Sequence, residues 1–447
     1  MGLIIHSSRS RYESLMHCLR EGYFRYHYKN RGITRSSKEI ALMTGIWIHK
    51  GLELIGKYLK EQKKKELPED ILEGIISHLK EGYFQEVFPK NWQEEGGGFN
   101  LSEETIDEWT KERRELTEQE FVVRQQYTFD EQIALCEALL RVFCLRTLPR
   151  WMERYKIIAV ENDMAFPLVK GEGWEVIQSA KIDWVLQEIA TKDLYLVSFK
   201  GYRQYDNRTA KEASHDTQGL SESWAFDEYL KLKKIDKRIM GVKMLYLIKG
   251  YRKETKRGSK NYETQSPLIR GYRKLTFEGP EYAHSWFIPK PENDSGIGII
   301  GKAFEKFETF SGLGLEELGG VKGWIELLAS GSVQEELPDI LEQQIIEPEP
   351  YTRHQRDIDS WLLQTKYREI DIAQRLNKEG SAKHEVFLDV MFPQNRGACH
   401  YPQDCQFIDL CYGTEDEKKD DPLEHGFVWR RPHHEGERLY QIERGMR

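Results

Sequence analysis

The chain has 447 residues, 39% hydrophobic and 31% charged, with a net charge of −8. That suits about two or three domains of roughly 150 residues and a large buried core. No apolar run approaches the roughly 18 residues of a spanning helix, and MGLIIHSSRSR lacks the apolar stretch of a signal peptide and carries His6 where myristoylation needs Ser or Thr.

Residues 7–30 read as a helix rich in aromatics, and 37–60 as an amphipathic helix striped by Ile48, Leu52, Ile55 and Leu59. Together 1–60 form the N-terminal helices of a core. Residues 61–150 are charged and mostly helical, hinged at Gly96-Gly97-Gly98, and read as an insertion that caps the core. They end in IALCEALLRVFCLRTL, where Cys136 and Cys144 fall at helical spacing as small core residues. From Lys156 the pattern changes to the β-rich runs KIIAVEND, EVIQSAKIDWVLQ and DLYLVSFKG. A helix at 216–234 and a strand, VKMLYLIKG, complete the core region 151–275. LIKGYRK recurs as LIRGYRK at 268–274, with a polar, basic loop between the copies; one short echo does not make a repeat. Residues 276–350 form an accessory region closed by an acidic, proline-bearing linker at 333–351. A long helix at 353–378 opens the C-terminal segment 351–447. The fold class expected is α/β, a short mixed sheet flanked by helices.

Charge is unevenly spread. From Ser198 to Lys274 there are 19 Lys/Arg and 9 Asp/Glu, a local +10 that leaves −18 for the rest. Such a run can be merely a solvated face, but this one is interleaved with Tyr202, Tyr205, Tyr251 and Tyr272, as in nucleic-acid interfaces. Arg203, Lys249, Arg252, Lys253, Arg257 and Arg273 are its candidate DNA contacts. Six cysteines in this length are no disulfide framework, so an intracellular, reducing location is expected. Cys399, Cys405 and Cys411 cluster near one end and Cys18 lies near the other. Thiolates bind both Zn²⁺ and iron–sulfur clusters, and His400, His425, His433 and His434 keep zinc an option.

If the runs at 174–187 and 193–201 pair about Ala190-Thr191-Lys192, Asp183 comes nearly opposite Ser198–Lys200, and 198 and 200 share a face. A carboxylate and an ammonium meeting at a strand end suit phosphodiester hydrolysis: the first holds Mg²⁺ or Mn²⁺, the second neutralises developing charge.

The series GIWIHKGLELIG, AVEND, SAKIDWVL, LVSFKGY and HDTQGLSESWAFDEYL resembles the motifs of the PD-(D/E)XK nucleases. The nearest branch is the RecB-like nucleases with an iron–sulfur cluster, which includes phage exonucleases, CRISPR-adaptation nucleases and AddB-like subunits. The resemblance covers about Cys18 to Leu247 and resumes at Cys399–Cys411, leaving 61–150 and 275–395 outside it. It implies that His49, one turn from Glu53, and Asp183 bind Mg²⁺ or Mn²⁺, that Lys200 is catalytic, and that Gln218 contacts DNA or positions Lys200. Glu161 matches an acidic position before the hairpin. Cys18, Cys399, Cys405 and Cys411 would hold a structural [4Fe–4S] cluster. The implied activity is a metal-dependent exonuclease acting on single-stranded DNA or free ends, with a helicase or recombination protein as companion, no membrane partner, and a phage as one source. Three departures stand out. Ser198 replaces the carboxylate two before the Lys, so Glu161, Glu53 or a substrate phosphate must supply that oxygen, or the protein binds DNA without cutting it. Glu222 stands where an aromatic residue often follows the Gln. The first cysteine gap is five residues, where many relatives have two. A zinc-stabilised RNA-processing or scaffold protein is a third reading.

Overall fold

A computed structural model describes residues 2–35, 40–87, 133, 135–202, 205, 207–214, 216–237, 239–248, 252–254, 262–264, 319–330, 344–379, 384–400, 404–412, 421–424 and 426–444. The chain opens with β1 (Leu3–Ser7), α1 (Arg9–His17), α2 (Leu19–Tyr26) and β2 (Ile33–Arg35). The single helix expected over 7–30 is two. At Cys18 the backbone is extended (φ −153°, ψ 120°), which ends α1 and starts α2. Ser8 caps α1 by accepting from Arg11 N, satisfying one of the free amides of the first turn.

The stripe Ile48, Leu52, Ile55 and Leu59 lies on α3 (Ile40–Gln62) and is buried throughout. Next come α4 (Glu69–Val87) and a helical run over 135–154, which contains a π-turn at Phe143–Thr147 and ends as α5 (Leu148–Arg154). Leu72, Ile76, Leu79, Leu139, Phe143 and Trp151 from these helices share one cluster with Trp184 and Phe199 of the sheet. The described ends of 61–150 therefore belong to the core rather than capping it, because their apolar faces find the sheet to bury against. The boundary at 150 falls inside α5; the Gly96–Gly98 hinge lies outside the described residues. At Gly56 an added Cβ would stand 2.5 Å from the Trp184 indole. Gly56→Ala is expected to lower stability by about 1–2 kcal/mol in urea denaturation, overpacking outweighing the gain in helix propensity.

The sheet is built from β3 (Tyr155–Gly171), β4 (Trp174–Glu188) and β5 (Leu194–Tyr202), followed by α6 (Asn207–Ser214), α7 (Thr217–Leu232) and β6 (Ile239–Ile248). The hairpin β3–β4 and the hairpin β4–β5 are antiparallel, and β5 pairs parallel with β6. That parallel step requires a crossover, which α7 supplies. β1 adds parallel to the start of β4. Two short strands, β7 (Arg252–Glu254) and β8 (Tyr262–Thr264), form a separate ladder within the segment expected to be a loop. After α8 (Gly320–Ala329), β9 (Ile345–Ile346) pairs antiparallel with β6, and Tyr351 bridges Val242. The expected linker at 333–351 thus ends as an edge of the sheet, its apolar Ile345 buried there.

The C-terminal segment holds α9 (Gln355–Leu376), α10 (His384–Met391), α11 (Ile408–Tyr412), β10 (Phe427–Trp429) and α12 (Glu435–Glu443). Trp224 and Phe226 of α7 and Ile358, Trp361 and Ile372 of α9 cover the second face of the sheet. β6 is buried almost end to end because helices lie on both faces. The result is a mixed sheet flanked by helices. β10 pairs with β2, and Asp163 of β3 accepts from the His434 ring and from Glu435 N, tying the end of the chain to its start and to the sheet. No described helix is long and apolar enough to cross a membrane.

Candidate active site

The β4–β5 ladder runs from Gln187↔Leu194 to Trp184↔Val197. One residue further, the Asp183 carboxylate itself accepts the Phe199 N–H, Oδ2 to N 2.7 Å. His49 reaches in from α3, its Nδ1 3.7 Å from Asp183 Oδ1, an ion-pair separation rather than a hydrogen bond. Burial works to raise the Asp183 carboxyl, but His49, the Phe199 N–H and Lys200 outweigh it and hold it below the ordinary range. It stays ionised, as a ligand for a divalent cation must.

Ser198 and Lys200 share the face of β5 that meets α7. Lys200 Nζ donates to Gln218 Oε1 and lies 3.8 Å from Asp216 Oδ2. Arg9 of α1 donates to the same Gln218 oxygen at 2.9 Å. The Gln218 amide nitrogen donates to Ser198 Oγ at 2.9 Å and to Glu222 Oε1 at 2.5 Å. Asp216 caps α7 by accepting from Gln218 N, which fixes the helix start beside Lys200.

Glu222, which the sequence marks only as a departure from the motif, lies within this network. Its side chain is 2% exposed, and Oε2 has no hydrogen-bond partner among the described residues. Burial, and after it the charge of Asp183, pushes its carboxyl up to about 8. A carboxyl buried near an ionised Asp183, with one oxygen unsatisfied, is costly to ionise unless a cation compensates its charge. The signal was available: Glu222 is four residues after Gln218, on the same helix face, in a chain lacking a carboxylate at 198.

Glu161 sits in β3 with φ +50° and pairs with Lys181. Burial raises its carboxyl, Lys181 opposes that, and the charges of Asp183 and Glu53 add to the rise. Glu53 is held by Lys50 at 3.0 Å and Lys57 at 2.5 Å; burial opposes its ionisation, but these two lysines keep it below the ordinary range. The structure thus gathers His49, Asp183, Ser198, Lys200, Gln218 and Glu222, and beside them Glu161 feels the charges of Asp183 and Glu53. Tyr202 and Tyr205 pack on Tyr246, ring centroids 5.5 and 4.8 Å apart. Arg203, Lys249, Tyr251, Arg257, Tyr272 and Arg273 lie outside the described residues. Arg252 and Lys253 lie on β7, and their side chains are outside them too.

A second centre forms where Cys18, Cys399, Cys405 and Cys411 line one small recess with Glu21, Gln394, Asn395, Ala398 and Ile408. All six cysteines of the chain are free thiols. Asn395 N donates to Cys18 Sγ at 3.4 Å, the Asn395 amide donates to His17 O at 2.8 Å, and Cys405 N donates to Cys399 O at 2.8 Å. Burial pushes the Cys405 thiol up to about 11 and the Cys411 thiol up to about 12, with the neighbouring thiols adding to both. His400 pairs with Asp404 at the surface and His434 with Asp163; neither they nor His433 line the recess, and His425 lies outside the described residues. The three described histidines that kept zinc an option therefore lie away from the recess. Cys136 is buried in the core as expected, and burial pushes the Cys144 thiol up to about 12.

No protein-family model matches this chain, and no curated protein matches it.

The donors in both places fit the groups expected there. Asp183, Glu222, the Ser198 hydroxyl and His49 are hard oxygen and imidazole donors suited to Mg²⁺ or Mn²⁺. Four thiols with a backbone N–H on one sulfur suit a thiophilic iron–sulfur cluster or zinc. Among the described residues no group of three or more His, Cys, Asp or Glu is preassembled as a metal site. In each place the donors are held protonated by burial, Glu222 in one and Cys405 and Cys411 in the other, and a bound cation would favour their loss of protons.

Proposed function

We propose that this chain is a divalent-metal-dependent deoxyribonuclease of the PD-(D/E)XK type, cutting single-stranded DNA or free ends, with a structural [4Fe–4S] cluster in the thiol recess. The observation that carries the reading is Gln218, which holds the Lys200 ammonium with one end of its amide and Ser198 and Glu222 with the other, beside Asp183. The oxygen missing at 198 is supplied by Glu222, reaching from the helix instead of the strand.

Bound Mg²⁺ or Mn²⁺ would supply polarisation of the phosphate and a lowered pKa for its water. Asp183, Glu222, Ser198 and His49 would hold that ion. Lys200 sits at the end of its strand, where its ammonium can orient the attacking water and offset the negative charge that builds on the phosphate. Gln218 and Asp216 together hold the Lys200 ammonium, with Arg9 sharing the Gln218 oxygen, and Tyr202 offers an exposed ring on which a base can stack.

Purified protein with Mn²⁺ is expected to degrade end-labelled linear DNA, and excess chelator to stop it. DNA binding without cleavage would instead favour a non-catalytic binder. For the thiol recess, anaerobically purified protein is expected to be brown, absorbing broadly near about 400 nm as thiolate-bound clusters do, and Cys411→Ala to lose both colour and stability. A colourless protein containing zinc would overturn that assignment.

A further inference from the structure

On α3, beside the buried stripe, Lys50 and Lys57 converge on Glu53 from either side, with side chains 41% and 46% exposed. On the neighbouring hairpin, Lys181 of β4, half-buried, pairs with Glu161 of β3. The two pairs belong to one array: Glu53 acts electrostatically on Lys181 and on Glu161, and Glu161 feels Asp183. His49, one turn before Glu53, closes the line at Asp183. Lys50 and Lys57 stand about 10 Å apart along the helix.

We infer that Lys50, Lys57 and Lys181 form a track for the backbone phosphates of a nucleic-acid strand, leading along α3 to Asp183. The inference rests on the nuclease reading and deepens it, because it says on which side of the hairpin the strand lies.

Most exposed lysines are solvated singly. These three are instead held by two carboxylates that face the site, and each already has an oxyanion as its partner. A phosphate diester arriving there exchanges one oxyanion for another, so no bare ammonium has to be desolvated. The track lies outside the basic segment 198–274, so its cations come from the part of the chain where acidic residues are in excess.

The test is fluorescence anisotropy with a labelled single-stranded oligonucleotide, in Mn²⁺, on protein carrying Lys200→Ala so that the probe survives. Lys50→Gln with Lys57→Gln is expected to raise Kd at least tenfold and to lower the slope of log K against log salt by about 1.4, about 0.7 for each phosphate that is no longer neutralised. Lys181→Gln is expected to weaken binding further. The charge-keeping pair Lys50→Arg and Lys57→Arg should restore most of the affinity, which separates a phosphate role from a folding defect. Lys192→Ala, in the β4–β5 turn, should change neither quantity. An unchanged Kd and slope in the double Gln variant would overturn the track while leaving the nuclease reading intact. If the unmodified protein neither binds nor cuts any strand, both fall together.

Discussion

Replacing Glu222 by Gln is expected to lower cleavage by about 10³-fold, the several kcal/mol that a bound divalent cation contributes to phosphoryl chemistry, while making the metal-free protein more stable at alkaline pH. The two effects share one cause. Gln keeps the shape of Glu222 and can still accept from Gln218 Nε2, but it removes a charge that is buried against Asp183. The carboxyl moves from an ordinary 4.5 to about 8 on folding. Below about pH 4.5 both folded and unfolded chains hold that proton and the shift costs nothing. As pH rises from there toward 8, the unfolded chain ionises while the folded one stays protonated, so stability falls across that window and then levels off. The total is on the order of 4 kcal/mol for a side chain this buried. Thermal melts of metal-free protein from pH 5 to 8.5 should show that decline in the parent chain and little of it in Glu222→Gln. Mn²⁺ should stabilise the parent far more than the variant at pH 7.5, because ionised Glu222 is the form that binds the cation. Lys200→Ala should also cost activity but leave the pH dependence of stability largely in place. Full activity in Glu222→Gln would return the question of the missing oxygen to Glu161 or Glu53.

The second large effect concerns the joint between the ends of the chain. Glu369 of α9 is 1% exposed; it accepts from Arg11 Nη1 at 2.5 and 2.7 Å and from Ser7 Oγ at 2.6 Å. Arg11, also 1% exposed, donates through Nε to His27 Nε2 at 2.9 Å. Burial, and then the charges of Arg11 and Arg430, drives the His27 pKa well below its usual value, so the ring is neutral and serves as an acceptor. Glu369→Ala leaves a guanidinium buried without its counter-ion and is expected to cost about 3–5 kcal/mol in urea denaturation. Arg11→Met combined with Glu369→Leu should cost less than either partner's loss alone, since no charge is then stranded. Equal and additive losses would show that the pair acts only through its packing. Because α1 begins at Arg9, which holds Gln218, and ends at Cys18 in the thiol recess, loosening this joint should weaken cleavage as well as folding.

Several parts of this site were legible without coordinates because short-range geometry decides them. Helical spacing puts His49 and Glu53 on one face beside the stripe of Ile48, Leu52, Ile55 and Leu59. A tight turn between two β-rich runs makes Asp183 face Ser198 and Lys200. The helix expected over 216–234 places Gln218 in its first turn. Other parts depended on packing between distant segments. The burial of Glu222 follows from α9 pressing α7 onto the sheet, and nothing within four residues of it reports that. The break at Cys18 was hidden by aromatic residues that suit a helix on either side of it. The role of residues 135–154 as core rather than cap depends on Trp184 and Phe199, which lie in strands that follow them.

Local periodicity and turn chemistry therefore determined the elements and the order of the polar residues, because they depend on neighbours a few positions apart. The meeting of Cys18 with Cys399, Cys405 and Cys411, and of Glu222 with Asp183, was decided only by the tertiary structure. Those distances depend on how whole faces of helix and sheet bury one another, which no window of the chain contains.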